Sequence, residues 1–108
     1  MTGAIVVSTT AGSAKEAEAI ADVLLEQRLA ACVQMIPIES RYAWQGEVAR
    51  ASEVLLLVKT QAPLFDKVAA AIRAVHSYET PEIIATTVSA GSADYLRWIA
   101  DSTGDVIG

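Results

Sequence analysis

The chain has one cysteine and one histidine among 108 residues, and these scarcities close off whole classes of protein. Cys32 alone cannot form an intrachain disulfide. With one histidine, His76, it also falls short of the four ligands of a structural zinc site within one chain, although symmetry could pool ligands from several copies. Eight Lys and Arg against thirteen Asp and Glu leave a net charge of −5, and no basic cluster stands out. The electrostatic footprint of a nucleic-acid binder is therefore missing. No apolar run exceeds five residues, Val54 to Val58 being one of that length. A membrane-spanning helix needs roughly 20, so no membrane partner is expected. No Lys or Arg precedes an apolar block near the start, and nothing resembles a signal-peptide cleavage region, so a cytoplasmic location is expected. Neither a Gly-x-Ser-x-Gly elbow nor a Gly-x-x-x-x-Gly-Lys loop occurs, and any hydrolytic triad would have to use His76. No enzyme activity is expected.

What is present can fold. Apolar residues make up 53% of the chain and charged residues 19%, enough for a proper core at the size of one domain, residues 1–108. Ala4 to Thr9 is a mostly β-branched run that reads as a covered strand. Ser13 and Glu16 form a capping-box pattern. Ala17, Ile20, Ala21, Leu24 and Leu25 follow at helical spacing. Leu29 to Ile38 leads into a second extended segment, in which Pro37 lacks a ladder donor and implies an edge, a bulge or a bend. Tyr42 and Trp44 alternate with Arg41 and Ala43 up to Gln45-Gly46, which reads as a hairpin tip. Val54 to Val58 is apolar on both faces, as a strand in mid-sheet would be. Pro63 opens a second helix carrying Phe65, Val68, Ile72 and Val75, and Pro81 makes residues 76–81 a loop. A strand from Ile83 to Val88 and a short helix capped at Ser92 complete the pattern.

Two strand-helix-strand halves joined by a hairpin predict an α+β fold, a ferredoxin-like β-α-β-β-α-β sandwich with an extended β-hairpin and a short C-terminal helix. Right-handed crossovers place both long helices on one face of the sheet. The other face is left bare, with no further segment long enough to cover it. The hairpin arms, near Ala31 to Gln45 and Glu47 to Thr60, would each span roughly 45 Å at about 3.3 Å per residue, so the tip must overhang. An overhanging ribbon with exposed aromatics and unpaired edges predicts an oligomer, the smallest forward-reaching ring being a trimer.

Five segments then carry a resemblance: Leu29-Ala30-Ala31-Cys32-Val33, Tyr42-Ala43-Trp44-Gln45-Gly46, Val54 to Thr60, His76-Ser77-Tyr78-Glu79-Thr80-Pro81-Glu82, and Asp94-Tyr95-Leu96-Arg97-Trp98. In order and spacing they resemble those of the CutA divalent-cation tolerance proteins over nearly the whole chain. The resemblance implies a heat-resistant homotrimer of ferredoxin-like protomers, linked to tolerance of copper and other divalent metals and without established catalysis. In copper-binding members the proposed ligands are a cysteine late in the first strand and two adjacent histidines. The matching positions here are Ser8, Val75 and His76, so one of the three ligands remains.

Each candidate has a functional and a structural role open to it. His76, with Glu79 and Glu82 near it, could hold Cu(II) weakly, imidazole being a favoured ligand of that ion. The favoured reading is that it bonds free carbonyls where the second helix ends. No cofactor is expected to be required. Cys32, among Ala30, Ala31 and Val33, is expected to fill the core. Tyr42 and Trp44 are expected at a subunit interface, where such aromatics are enriched. Lys59 and Glu82, near strand ends, could meet in an intersubunit cleft or form a surface ion pair. The alternative to a metal-tolerance trimer is a PII-like signalling trimer binding a nucleotide or other small ligand between subunits, for which Lys59 and Arg41 are a thin supply of phosphate-binding charge.

Overall fold

The structure, a computed structural model, describes residues 2–104. The apolar run expected to end at Thr9 continues to Ala11 as β1 (Ala4–Ala11). Ser13 caps α1 (Ala14–Glu26), its hydroxyl accepting from the Glu16 N–H. The carboxylate of Glu16 accepts in turn from the N–H of Gly12 at 3.0 Å. The hydroxyl half of the capping box forms as expected, while the carboxylate reaches one residue past the N-cap. β2 (Cys32–Trp44) and β3 (Glu47–Gln61) form the hairpin. A 3₁₀ turn (Ala62–Leu64) containing Pro63 leads into α2 (Phe65–Val75), followed by β4 (Ile84–Thr87) and α3 (Ala93–Ser102).

The four strands form one antiparallel sheet in the order β2-β3-β1-β4, which with the chain order is the ferredoxin-like arrangement. Strand alternation divides it cleanly. Ile5, Val7 and Ala11 of β1 and Leu56 and Val58 of β3 point to one face and pack against Ala17, Ile20 and Leu24 of α1 and Val68 and Ile72 of α2. Thr9 shares that face and is fully buried, its hydroxyl having no hydrogen-bond partner among the described residues.

The opposite face is not wholly bare, contrary to the sequence expectation. Lys59 and Gln61 point to it, and α3 lies over them. Gln61 Nε2 donates to Thr103 Oγ1 at 2.7 Å, and Lys59 Nζ donates to the Tyr95 hydroxyl at 3.4 Å. A ten-residue helix thus covers one end of this face, leaving Ile36 and Ile84 at 43% and 58% exposed. Cys32 is a second correction. It opens β2 opposite Lys59 on the same outer face, half-buried and outside the core, because its neighbour Val33 takes the inward position.

Only the last part of β3 pairs with β1, Val54 being opposite Ala11. Beyond it, the pairs from Ile38↔Glu53 to Trp44↔Glu47 form a two-stranded ribbon with no third strand paired to it among the described residues. The overhang makes the molecule 48 Å long against 28 and 21 Å in the other directions. Gln45 as well as Gly46 takes positive φ, 50° and 81°, as a two-residue turn that follows the strand twist requires. Pro37 sits opposite Val54 in unbroken register. Its place on the edge strand is enough to accommodate it, without a bulge.

Arg28 ends α1 at φ 57°, a conformation usually left to glycine. The Arg28 N–H donates to Leu25 O and the Leu29 N–H to Leu24 O, closing the helix as a Schellman turn. Its guanidinium then donates to the carbonyls of Gly104 and Asp101, both at 3.0 Å. The end of α1 is thereby tied to the end of α3.

Candidate functional site

The loop between α2 and β4 is fastened from several sides. The His76 N–H completes the last turn of α2 by donating to Ile72 O, after which the backbone turns extended. Nδ1 of its ring accepts from the Tyr78 N–H at 3.0 Å, so that nitrogen is unprotonated and Nε2 carries the hydrogen, donated to Thr10 O. Both ring nitrogens are therefore occupied by the chain itself. The imidazole and the Tyr78 ring lie with centroids 4.6 Å apart. Glu16 holds the same loop from α1, its second carboxylate oxygen accepting from the Ser77 N–H at 3.0 Å. Burial, the largest influence on this carboxyl, pushes its pKa up. Hydrogen bonds from Ser77 and Gly12 outweigh that and leave it below its ordinary value.

Fastened in this way, the loop walls a cavity of about 600 Å³ beneath the overhanging ribbon. Ile38, Ser40, Tyr42 and Trp44 of β2, with Glu53 and Leu55 of β3 and Thr10 of β1, form its floor. Alternation explains Ile38, Ser40, Tyr42 and Trp44, since every second residue of β2 shares the face away from α1 and α2, and Arg41 and Ala43 between them also line the cavity. Tyr78, Glu79, Thr80 and Glu82 form the side. The Tyr78 hydroxyl donates to Glu53 Oε2 at 2.9 Å, bridging wall and floor. Its pKa is pushed up to about 12, first by burial and then by the hydrogen bond and charge of Glu53 and the charge of Glu16.

The expected site residues divide. Glu79 and Glu82 line the cavity, whereas His76 turns towards β1. Among the described residues no three His, Cys, Asp or Glu side chains come together closely enough to hold a metal ion. Ser8 lies between Leu57 and Ile84 in the sheet, and Val75 packs against the core. Tyr42 and Trp44 stand 44% and 49% exposed on the ribbon. Lys59 and Glu82 are not paired within the chain. Lys59 sits at the other end of the face with its ammonium 5.5 Å from the centre of the Tyr95 ring. Glu53 and Tyr78 were not singled out as site residues from sequence, and Glu16 was read there only as the acidic half of a capping box. The parity of β3 places Glu53 opposite Ile38, but the reach of Tyr78 to it depends on the loop's tertiary position.

The comparisons with known proteins agree with one another. Residues 5–102 match the family model described as CutA1 divalent ion tolerance protein. The divalent-cation tolerance protein CutA of Thermus thermophilus is 45% identical over 100 residues, covering 92% of this chain and 97% of that one. The solved structure of the divalent cation tolerance protein Cut A1 from the same organism superposes with a TM-score of 0.91 at 44% identity, over 94% of this chain and 99% of that one. The structure described as the periplasmic divalent cation tolerance protein CutA from Archaeoglobus fulgidus gives 0.90 at 40% identity, over 92% and 97%. These names describe tolerance proteins and not enzymes. Among the described residues no helix is long and apolar enough to cross a membrane.

Proposed function

The chain belongs to the CutA1 divalent ion tolerance family, and from that premise we propose that it serves divalent-cation tolerance as a non-catalytic homotrimer that takes up Cu(II) or a similar ion weakly. The observation that carries the trimer is the overhanging ribbon. Among the described residues β2 offers a free edge of thirteen residues, far above the usual five or six, and β4 offers the other edge, all four of its residues exposed. Long exposed edges and apolar positions such as Ile36 and Ile84 call for cover by other strands, and sister copies in a closed ring supply it equally to every protomer. Tyr42 and Trp44 ride on the ribbon into that contact.

For the ion, the exposed carboxylates of Glu79 and Glu82 supply oxygen donors in each copy, which suits weak binding. His76 joins them only by giving up its bond to Thr10 or to the Tyr78 N–H. Calorimetric titration of Cu(II) into the wild type, His76→Ala and the double variant Glu79→Gln/Glu82→Gln tests this. Heat lost in the double variant supports the reading, and equal heat in all three refutes it. Cytoplasmic residence is part of the proposal. Fractionation of the native host tests it directly, against the periplasmic description of the Archaeoglobus fulgidus relative.

A further inference from the structure

The overhanging ribbon carries two like charges side by side. Arg41 of β2 and Arg50 of β3 are direct cross-strand partners, and both are exposed. Side chains opposite one another on a strand pair have Cβ atoms about 5 Å apart, so two positive groups placed there repel and weaken the hairpin. Among the described residues nothing offsets this. By alternation the pairs that flank them on the same face are Glu39↔Ser52 and Ala43↔Val48, which makes Glu39 the one carboxylate adjacent in register. It is already engaged, both of its oxygens accepting from Ser52 Oγ at 2.9 Å. Among the described residues neither guanidinium forms an ion pair or donates a hydrogen bond.

We propose that Arg41 and Arg50 together form a clamp for a carboxylate of the next copy, a site that is incomplete until the copies assemble. This contact rests on the closed ring proposed above and states what one of its junctions holds. A guanidinium fork matches a carboxylate through two parallel N–H bonds, and two forks side by side hold one charge from both flanks. The pair stands where β2 and β3 have already passed β1, on the stretch that the ring brings against a neighbour. Charge points to the same occupant. Each chain carries thirteen acidic residues against eight basic ones, so a sister copy presents a surface rich in carboxylates. Copies that each carry −5 also repel as they meet, and positive groups concentrated at the junction counter that repulsion.

The sign of a single substitution separates the two cases. With no carboxylate between them the arginines only repel, so Arg41→Gln or Arg50→Gln would strengthen the protein; with a carboxylate held, either change is a loss. Urea-induced dissociation of the full chain is followed by light scattering at one fixed protomer concentration in phosphate-free buffer. Both single variants should dissociate at lower urea than the wild type, each with a several-fold weaker association, and added sodium chloride should narrow the gap by screening. Both positions are exposed, so each variant checks the other should one misfold. Equal or higher midpoints in the variants, or a gap indifferent to salt, would overturn the proposal. So would a wild-type advantage that appears only when inorganic phosphate is added, because the pair would then hold a free anion. A trimeric wild type with unaffected variants removes this contact alone, whereas a monomeric wild type removes the ring and the contact with it.

Discussion

Glu16 is a three-way clasp. Its replacement gives a measurable prediction. In the first turn of α1, its carboxylate accepts from the N–H groups of Gly12 and Ser77, both at 3.0 Å, and so joins the end of β1, the start of α1 and the loop after α2. Both bonds are exposed to water, which can replace them, so each contributes about 1 kcal/mol, below the range usual for a charged acceptor. The negative charge near the N-terminus of α1 adds about 0.3–1 kcal/mol. Glu16→Gln keeps one acceptor oxygen but loses the charge and one bond, and should cost about 1.5 kcal/mol near neutral pH. The pH dependence has a definite sign. Because the folded-state pKa lies below the ordinary 4.5, the stabilisation is fully present above that value and is lost as pH falls through the lowered one. Wild type and variant should therefore converge in acid. Urea unfolding at one fixed protomer concentration, needed because assembly itself raises apparent stability, follows the gap from neutral pH downward. A gap that is absent at neutral pH, or that stays constant into acid, would refute the clasp.

Three other outcomes follow from single residues. Thr9→Val, which removes a buried hydroxyl without a partner among the described residues while keeping its shape, should stabilise the protein by about 1 kcal/mol in urea unfolding; a loss of similar size would mean the hydroxyl has a partner. Arg28→Gly relieves the positive φ but releases the bonds to Gly104 and Asp101, so hydrogen exchange should speed up at the end of α3 and not in the core of α1; unchanged exchange there would refute the tie. Tyr78 has a folded pKa raised from 10.0 to about 12, so its contribution is complete below pH 10 and lost as pH rises between these values. Tyr78→Phe should therefore lack part of the wild type's alkaline destabilisation in that window, and identical alkaline profiles would contradict the bond to Glu53.

Much of the fold was legible in the sequence because it follows from periodicities. The mid-sheet character of Val54 to Val58, the spacing of Val68 and Ile72, and the turn at Gly46 each depend on near neighbours, and the structure shows each as expected. Cys32 went wrong through parity, since one step along a strand reverses the face and Val33 took the core. The cover supplied by α3 was missed because Gln61 and Lys59 reveal their partners only once the helix has folded back on the sheet. The cavity was half legible. Alternation alone places Tyr42 and Trp44 on one face, but the turn of His76 towards Thr10, sixty-six residues away in sequence, depends on how the loop docks. So does the reach of Tyr78 to Glu53.

The ribbon from Ile38 to Glu53 stands clear of β1 and β4, and sister copies are expected to shelter it. Multi-angle light scattering on the purified chain tests this most directly. A single stable species of three times the 11.4 kDa chain mass, persisting on dilution to micromolar protomer, is the predicted result. A soluble, folded 11.4 kDa species at that concentration would contradict it.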